Sequence, residues 1–278
     1  MRTLFFGTSA FAVPSLHVLA EKTALAGVVT QPDRPAGRGH KLQATPVKLA
    51  ARELGMRVYE PAALKGLAEQ LAPNVFDLFA LASYGKILPQ ALLDLPALGA
   101  LNVHPSLLPK YRGATPIQSA LLAGETRTGV SIMLMDAGMD TGDLVLQEPV
   151  EINADDDYGA LEDRLALFGG DLLGDAIDLA QRGPLPRHPQ TGEPSATRPI
   201  RKDDLLIDWS WPPERIVNAV RAFSPAPGAR AVIDGESVKL LRAHVDEGRV
   251  VIDELIAPNR GRMNGETYER SRKDRAGA

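Results

Sequence analysis

Apolar and polar residues alternate with two different periods along the first half of the chain. Short apolar runs rich in Val, Ile, Leu and Phe predict buried strands, and each run is followed by a stretch with helical spacing. The predicted strands are Thr3–Phe6, Ala24–Val29, Arg57–Tyr59, Asp77–Leu81, Ala100–Val103 and Val130–Met135. The predicted helices are Pro14–Ala20, a helix from Pro46 to about Leu54 with Thr45 as its cap, and Pro116–Ala123. This order favours an α/β fold with a mostly parallel sheet covered by helices on both faces.

The second half of the chain has a different pattern. Asp157–Gln181 predicts one long helix, and the five prolines between 183 and 201 disfavour any helix there. We therefore predict an α/β domain over 1–182, a Pro-rich linker over 183–204 and a small β-rich domain over 205–278. The elements predicted in this last domain are a helix at Pro212–Phe223, strands at Ala229–Asp234, Ser237–Leu241 and Arg249–Asp253, and a hairpin turn at Asp234-Gly235.

Composition narrows the class of protein. The chain has 278 residues, of which 44% are hydrophobic and 24% charged, as is typical of a globular protein. It contains no cysteine, which excludes disulfides, a thiol nucleophile and cysteine-ligated metals. No apolar run approaches the ~18 residues of a membrane helix. Gly7 and Pro14 interrupt the apolar start, which disfavours a signal peptide, so we expect a cytoplasmic protein.

The net charge of −4 is unevenly distributed. Segment 151–180 has nine acidic residues against one arginine, whereas segment 31–48 carries a net +3. This balance argues against bulk binding of a polyanion but is compatible with local contact to one.

Polar stretches follow several of the predicted strands. Because parallel strands place their carboxyl ends at one edge of a sheet, we expect these stretches to converge into a site. They are Gly7–Ser9, Gln31–Lys41, Ser83–Lys86, Asn102–Gly113 and Asp136–Asp143.

Three residues in these stretches suit transfer of an acyl group to an amine. Asn102 and His104 are two apart at a strand end, so their side chains face the same side. Asn102 and a protonated His104 can stabilise an oxyanion. Asp140 can take a proton from the attacking amine, and its charge would hold His104 in the protonated form.

Other interpretations of the same residues remain open at this stage. An N-x-H pair is often structural, and a D-x-G-x-D loop is often a capped turn. Asp136, Asp140 and Asp143 could bind Ca²⁺, although the EF-hand pattern is not met. A Ser-His-Asp triad through Ser106 lacks the G-x-S-x-G elbow. Gly7-Thr8-Ser9 does not match G-x-G-x-x-G, so we do not infer a dinucleotide.

Longer runs resemble a known family. The run N-V-H-P-S-L-L-P-K-Y-R-G over 102–113, together with M-D-T-G-D over 139–143, resembles the signature of the folate-dependent formyltransferases. The run T-Q-P-D-R-P-A-G-R-G over 30–39 resembles the tRNA-contacting loop of the branch that acts on tRNA. With D-W-S at 208–210 and R-A-F at 221–223, the similarity extends over nearly the whole chain.

This resemblance implies a Rossmann-like formyltransferase domain followed by a small OB-like domain. It implies 10-formyltetrahydrofolate as the donor, the α-amino group of methionyl initiator tRNA as the acceptor, no metal and a monomer. Asn102, His104 and Asp140 take the family's catalytic places. The positions matching its folate contacts are Tyr84, Lys86, Ile87, Leu88, Ser106, Leu107, Leu108 and Pro109, and those matching its tRNA contacts are Arg34, Arg38 and Lys41.

The chain departs from the family pattern at its end. The second domain looks short, with room for one hairpin between Leu241 and Glu254, and the tail Arg260–Arg275 has no clear final strand. Two alternatives remain: a formyltransferase acting on a nucleotide-linked amino sugar, and a catalytically inactive folate- or RNA-binding module. The basic loop 34–41 favours the tRNA branch over the first, and the unaltered catalytic positions disfavour the second.

Overall fold

The computed structural model describes residues 1–36 and 41–276. By their contacts they form two compact units, each assembled from separate segments. The N-terminal unit comprises Met1–Ala114, Gly129–Val150 and Asp163–Ala196. The C-terminal unit comprises Thr115–Thr128, Glu151–Glu162 and the chain from Thr197 onward. Each predicted domain is one continuous stretch of chain, whereas each of these units combines three separate segments. The units therefore do not test the predicted boundaries at 182 and 205, which stay a prediction.

The strands of the described residues are β1 (Arg2–Gly7), β2 (Ala24–Val29), β3 (Arg34–Ala36), β4 (Lys41–Gln43), β5 (Val58–Tyr59), β6 (Leu78–Ala82), β7 (Ala100–His104), β8 (Arg112–Gly113), β9 (Arg127–Leu134), β10 (Leu144–Glu151), β11 (Ala196–Thr197), β12 (Ala229–Ile233), β13 (Glu236–Asp246), β14 (Arg249–Ala257) and β15 (Gly261–Asn264). The α-helices are α1 (Val13–Lys22), α2 (Pro46–Glu53), α3 (Leu67–Leu71), α4 (Gln90–Leu93), α5 (Pro116–Leu122), α6 (Tyr158–Arg182), α7 (Pro213–Phe223) and α8 (Gly265–Ala276). Short 3₁₀ helices lie at Ala10–Ala12 and Lys202–Leu205. None of these described helices is both long and apolar enough to cross a membrane.

The predicted parallel sheet is confirmed. Among the described residues, seven strands pair in the order β10-β9-β7-β6-β1-β2-β5. The strands β5, β2, β1, β6 and β7 run parallel, and β9 runs antiparallel to β7. The central strands β1 and β6 are buried along almost their whole length, because both faces of a parallel sheet are covered. The carboxyl ends of β1, β2, β6 and β7 therefore lie at one edge.

Aromatic rings from β1, from β6 and from the segment after β6 pack together in the core as an aromatic cluster. The rings of Phe6 and Phe79 have centroids 5.2 Å apart, and the ring of Tyr84 lies edge-on to Phe6 at 5.5 Å. Pairs in this geometry are favourable beyond the apolar area that they bury. The cluster fixes the backbone just beyond β6, where a predicted site segment begins.

The C-terminal unit contains an antiparallel sheet in the order β12-β13-β14-β15. The turn between β12 and β13 is formed by Asp234 and Gly235, with φ angles of 48° and 79°, as the Asp-Gly pair predicts. The prediction of a tail without a final strand is wrong, because β15 pairs with β14 and helix α8 follows it. Three of the four residues of β15 are exposed, so its own sequence carries little apolar signal, and the strand is defined by its backbone pairing with β14.

Candidate active site

Three polar stretches of the N-terminal unit meet at one carbonyl group. The hydroxyl of Thr8, after β1, donates to the Tyr84 carbonyl at 2.9 Å. The side-chain amide of Gln31, after β2, donates to the same carbonyl oxygen at 2.7 Å. Ser9 and Ser83 are also joined through their hydroxyls, at 2.8 Å. The convergence that strand order predicts is therefore confirmed for the loops after β1, β2 and β6.

Asn102 and His104 lie two residues apart on β7, where the alternation of a strand places both side chains on one face. His104 is 4% exposed, whereas Asn102 is half-buried. The Asn102 amide makes no hydrogen bond to any residue that the structure describes, so its N–H groups are available to a ligand. The two-residue spacing of Asn102 and His104 in the sequence therefore places both side chains on the same face of β7.

His104 is held between a carbonyl and a carboxylate. Its Nε2 lies 3.0 Å from the Tyr111 carbonyl oxygen, and because a carbonyl only accepts, Nε2 carries the proton. Its Nδ1 faces Asp140 Oδ2 at 3.6 Å. Burial lowers the pKa of His104, and the charge of Asp140 and the Tyr111 carbonyl oppose that shift without overcoming it. The direction of this shift disfavours the prediction that Asp140 keeps His104 protonated.

Asp140 has a left-handed backbone conformation, with φ of 55°. Its Oδ2 accepts a hydrogen bond from the Gly113 backbone N–H at 2.8 Å. This bond joins the loop 136–143 to the segment 102–113, so the fourth and fifth polar stretches also meet.

The loop 136–143 is a compact capped turn around Asp136. That carboxylate accepts hydrogen bonds from the Gly138 backbone at 2.9 Å and from the Thr141 hydroxyl at 2.7 Å. A Cβ at Gly142 would lie 1.7 Å from the Leu134 carbonyl oxygen, so the backbone approaches its own strand closely here. Within the described part of the chain, no group of three His, Asp or Glu side chains could hold a metal ion, and the Ca²⁺ interpretation gains no support.

A residue that sequence reasoning missed completes this arrangement. The side-chain amide of Gln190 donates to the carbonyls of Asp140 and Gly142, both at 2.9 Å. Its oxygen accepts from the Arg112 guanidinium, at 3.1 Å from Nε and 2.6 Å from Nη2. Gln190 lies in the segment predicted as a Pro-rich linker, where a glutamine belongs to no recognisable pattern. Only the contact across 50 residues of chain identifies it.

Side-chain hydrogen bonds stabilise the turn 106–109, which follows β7. Ser106 is fully buried, and its hydroxyl donates to the Lys110 carbonyl at 2.6 Å. Ser131 donates to the Ser106 carbonyl at 2.6 Å, and Gln147 donates to the Leu108 carbonyl at 2.9 Å. Both ring nitrogens of His104 face other groups, so this geometry gives no support to a Ser-His-Asp triad. The predicted folate segment is thus a rigid turn rather than a source of a nucleophile.

The other predicted folate segment, 84–88, divides between core and surface. The Tyr84 side chain is 3% exposed and buried in the aromatic cluster, where burial raises the pKa of its hydroxyl to about 12. Lys86 donates to the carbonyls of Pro61 and Ala62, at 3.1 and 3.0 Å. Leu88 is buried, whereas Ile87 is 75% exposed. The Tyr84 ring therefore serves the core, and Ile87 is the apolar side chain of this segment that can contact a ligand.

Of the predicted tRNA-contacting residues, Arg34 lies on β3 and Lys41 lies on β4 of the same hairpin. Arg34 is exposed and its guanidinium donates to the Gln31 side chain. Arg38 and the side chain of Lys41 lie outside the described residues. At the base of the hairpin, the buried Lys48 donates to Asp33 and to Glu60, both at 2.7 Å. The hairpin is therefore anchored by an ion-pair network even though its strands are short.

Comparison with known proteins shows the family to which the chain belongs. A model of the formyl transferase family matches residues 1–177, and a model of the formyl transferase C-terminal domain matches residues 199–273. The chain therefore belongs to the formyl transferase family.

Within this family, the chain is similar to enzymes that act on tRNA. The chain is 42% identical to the methionyl-tRNA formyltransferase of Syntrophus aciditrophicus, across 97% of this chain and 96% of that one. It is 45% identical to the methionyl-tRNA formyltransferase of Pelotomaculum thermopropionicum, across 89% and 80% of the two chains.

Solved structures share the fold at low sequence identity. Methionyl-tRNA formyltransferase from Clostridium thermocellum superposes with a TM-score of 0.61 at 15% identity, covering 92% of this chain and 99% of that one. The sugar 3N-formyl transferase WlaRD gives 0.69 at 18% identity, covering 95% of each chain. Because tRNA- and sugar-directed enzymes superpose about equally well, these likenesses establish the fold and not the acceptor.

Proposed function

We propose that this protein transfers the formyl group of 10-formyltetrahydrofolate to the α-amino group of methionyl initiator tRNA. The observation that carries the proposal is the juxtaposition of His104 and Asp140, 3.6 Å apart, beside Asn102 with its unengaged amide. In the reaction, a bond forms between the formyl carbon and the acceptor nitrogen, and the bond from that carbon to the donor nitrogen breaks. One proton passes from the acceptor nitrogen to the donor nitrogen.

Asn102 supplies electrostatic stabilisation in this scheme. Attack on the formyl carbon places negative charge on the formyl oxygen, and the Asn102 N–H groups can donate to it without first breaking a bond inside the protein. A preorganised donor of this kind typically contributes ~10²–10³ in turnover.

Asp140 and His104 handle the proton. The acceptor is an α-amine next to an ester, which is less basic than a free α-amine, so a carboxylate is a sufficient base. A proton accepted by Asp140 Oδ2 faces His104 Nδ1, the ring nitrogen that is free in the neutral tautomer. The pair can therefore hold one proton before it is returned to the leaving nitrogen.

Side chains of the two predicted folate segments suit the donor. A reduced pterin is a flat ring that needs apolar contacts on its faces and hydrogen-bonding groups at its edge. The exposed Ile87 and half-buried Leu107 supply apolar contact. When bound, the donor supplies the formyl group. The chain's own residues bind and orient it.

The acceptor is assigned from the relatives and from charge. Both relatives compared above are methionyl-tRNA formyltransferases, and the segment 31–48, which contains Arg34, Arg38 and Lys41, carries a net +3 that favours a polyanion. Arg198, a further basic residue, forms a bidentate pair with Asp204 at 2.6 Å and is less available.

A formyl-transfer assay with several acceptors tests the proposal. Purified protein would receive 10-formyltetrahydrofolate with methionyl initiator tRNA, with methionyl elongator tRNA, or with a nucleotide-linked amino sugar. We expect selective formylation of the initiator tRNA. Formylation of the sugar alone would assign the protein to the sugar branch, and folate binding without any transfer would leave an inactive binding module.

Variants at the catalytic positions test the mechanism. Asn102→Ala and Asp140→Asn should each lower kcat by ~10²–10³ while folate binding, followed by fluorescence or calorimetry, stays within about twofold. Turnover like that of the wild type in both variants would refute the roles given above.

A further inference from the structure

We propose that Gln190 is a positioning residue that holds Asp140 in its reactive place. The proposal rests on the proposed function, since it concerns the base of that reaction. It adds a residue from the Pro-rich segment 183–204, which neither the motifs nor the spacing of the sequence had connected with the site.

The Gln190 side chain is fully engaged. Its two N–H groups are matched by two carbonyl oxygens, those of Asp140 and Gly142, and its oxygen accepts from Arg112 twice. The reversed amide would place its oxygen against both carbonyls and its NH₂ against the guanidinium. The network therefore determines the orientation of the amide.

These bonds act on both sides of the catalytic carboxylate. Gln190 fixes the backbone at Asp140 and at Gly142, while the Gly113 N–H fixes the Asp140 carboxylate at 2.8 Å. Arg112, which donates to the Gln190 side chain, and Gly113, which donates to the Asp140 carboxylate, are adjacent in the chain. Removing the amide would free the loop 136–143 to move Oδ2 relative to His104.

The segment that carries Gln190 is anchored independently of that side chain. His188 and Leu144 exchange two backbone hydrogen bonds, at 2.8 and 2.9 Å. Ser195 accepts from the Arg112 backbone N–H at 2.8 Å. Replacing the Gln190 side chain should therefore leave the course of the chain intact and remove only the hold on Asp140.

The first test is Gln190→Met in the full chain, which keeps length and removes every hydrogen bond. We expect kcat to fall ~10–100-fold, since small misplacement of a reacting group has costs of this order, with KM for both substrates within about twofold. Gln181→Met is the matched control, because the Gln181 amide donates at 3.0 Å to the Lys22 carbonyl in α1, and it should behave like the wild type.

Gln190→Glu distinguishes a residue that positions Asp140 from one that only binds Arg112. The glutamate keeps an acceptor for Arg112 but turns an oxygen toward the carbonyls of Asp140 and Gly142. We expect a loss of kcat at least as large as in Gln190→Met. If Gln190 served only to hold Arg112, Gln190→Glu would retain wild-type turnover, and that result would overturn the proposal even if Gln190→Met did not fold.

A double-mutant cycle with Asp140→Asn shows through which residue Gln190 acts. If Gln190 works by placing Asp140, Gln190→Met should cost less than about twofold once Asp140 is replaced. A full additional loss in the double variant would mean a structural role and would overturn the proposal. Wild-type turnover in Asp140→Asn would instead refute the proposed mechanism, whereas an inactive Asp140→Asn beside a fully active Gln190→Met would refute only this inference.

Discussion

The charge on His104 is set by two opposing effects on one side chain. The Tyr111 carbonyl and the Asp140 carboxylate both favour the imidazolium, yet loss of water around a residue that is 4% exposed favours the neutral ring more strongly. Nδ1 lies 3.6 Å from Asp140 Oδ2, which is longer than a hydrogen bond. With its proton on Nε2, the ring can accept a second proton at Nδ1, which faces Asp140.

We predict a pH dependence of stability from this residue. The pKa of His104 is lower in the folded protein than its ordinary 6.5, so between the two values the unfolded chain binds the extra proton. Stability contributed at this site is therefore present above pH 6.5 and is lost as the pH falls through that window, by at most about 1.4 kcal/mol per pH unit. Denaturant unfolding at several pH values should show a smaller loss below pH 6.5 in His104→Asn than in the wild type. An equal loss in both proteins would contradict a lowered pKa.

Among the elements, the loop between β9 and β10 has a demanding backbone geometry. Asp136 caps it, Asp140 takes a left-handed conformation within it, and Gly142 lies against the Leu134 carbonyl of β9. A capped turn, one interpretation of the D-x-G-x-D pattern over 136–140, is present around Asp136. The close approach of the Gly142 backbone to its own strand is seen only in the structure.

We predict that Gly142→Ala disables this loop. The new Cβ would lie 1.7 Å from a backbone oxygen, which cannot yield without moving β9, so kcat should fall by ~10² or more and the melting temperature should drop by several degrees. Gly183→Ala is the control, because a Cβ at Gly183 meets nothing within 4 Å. Kinetics and thermal unfolding of the two variants would check this, and a fully active Gly142→Ala would show that the loop tolerates displacement.

At the scale of the whole molecule, acidic and basic residues concentrate in different segments of the chain. A protein with net charge −4 is not a general polyanion binder, whereas the segment 31–48 has a local excess of positive charge. Few phosphate contacts imply modest affinity for tRNA that weakens as salt displaces the counterions that binding releases.

We predict that salt acts on the acceptor and not on the donor. KM for methionyl tRNA should rise steeply between low and physiological salt, while folate affinity changes little. Arg38→Ala should raise KM for tRNA and flatten the slope of log KM against log salt by about one. Lys65→Ala, which removes an exposed charge outside the proposed site, should leave the slope unchanged. Equal slopes in all three proteins would exclude Arg38 from the phosphate contacts.

Local patterns in the sequence determined much of this protein. Apolar runs predicted strands such as Ala24–Val29 and their parallel order, and the Asp-Gly pair predicted its turn, because strand burial and turn dihedrals depend on neighbouring residues. The N-x-H spacing placed Asn102 and His104 on one face for the same reason. Their catalytic roles, with that of Asp140, stay a prediction until the variants are measured.

Tertiary structure decided what depends on residues far apart in the chain. The pairing of β15 is set by backbone hydrogen bonds to β14, since its own side chains are mostly exposed. The lowered pKa of His104 follows from the burial of its ring, and a sequence motif does not show how deeply a side chain is buried. The grip of Gln190 on Asp140 spans 50 residues and is made by a side chain without any pattern of its own. Contacts of this kind exist only once the chain has folded, so they could be found only in the structure.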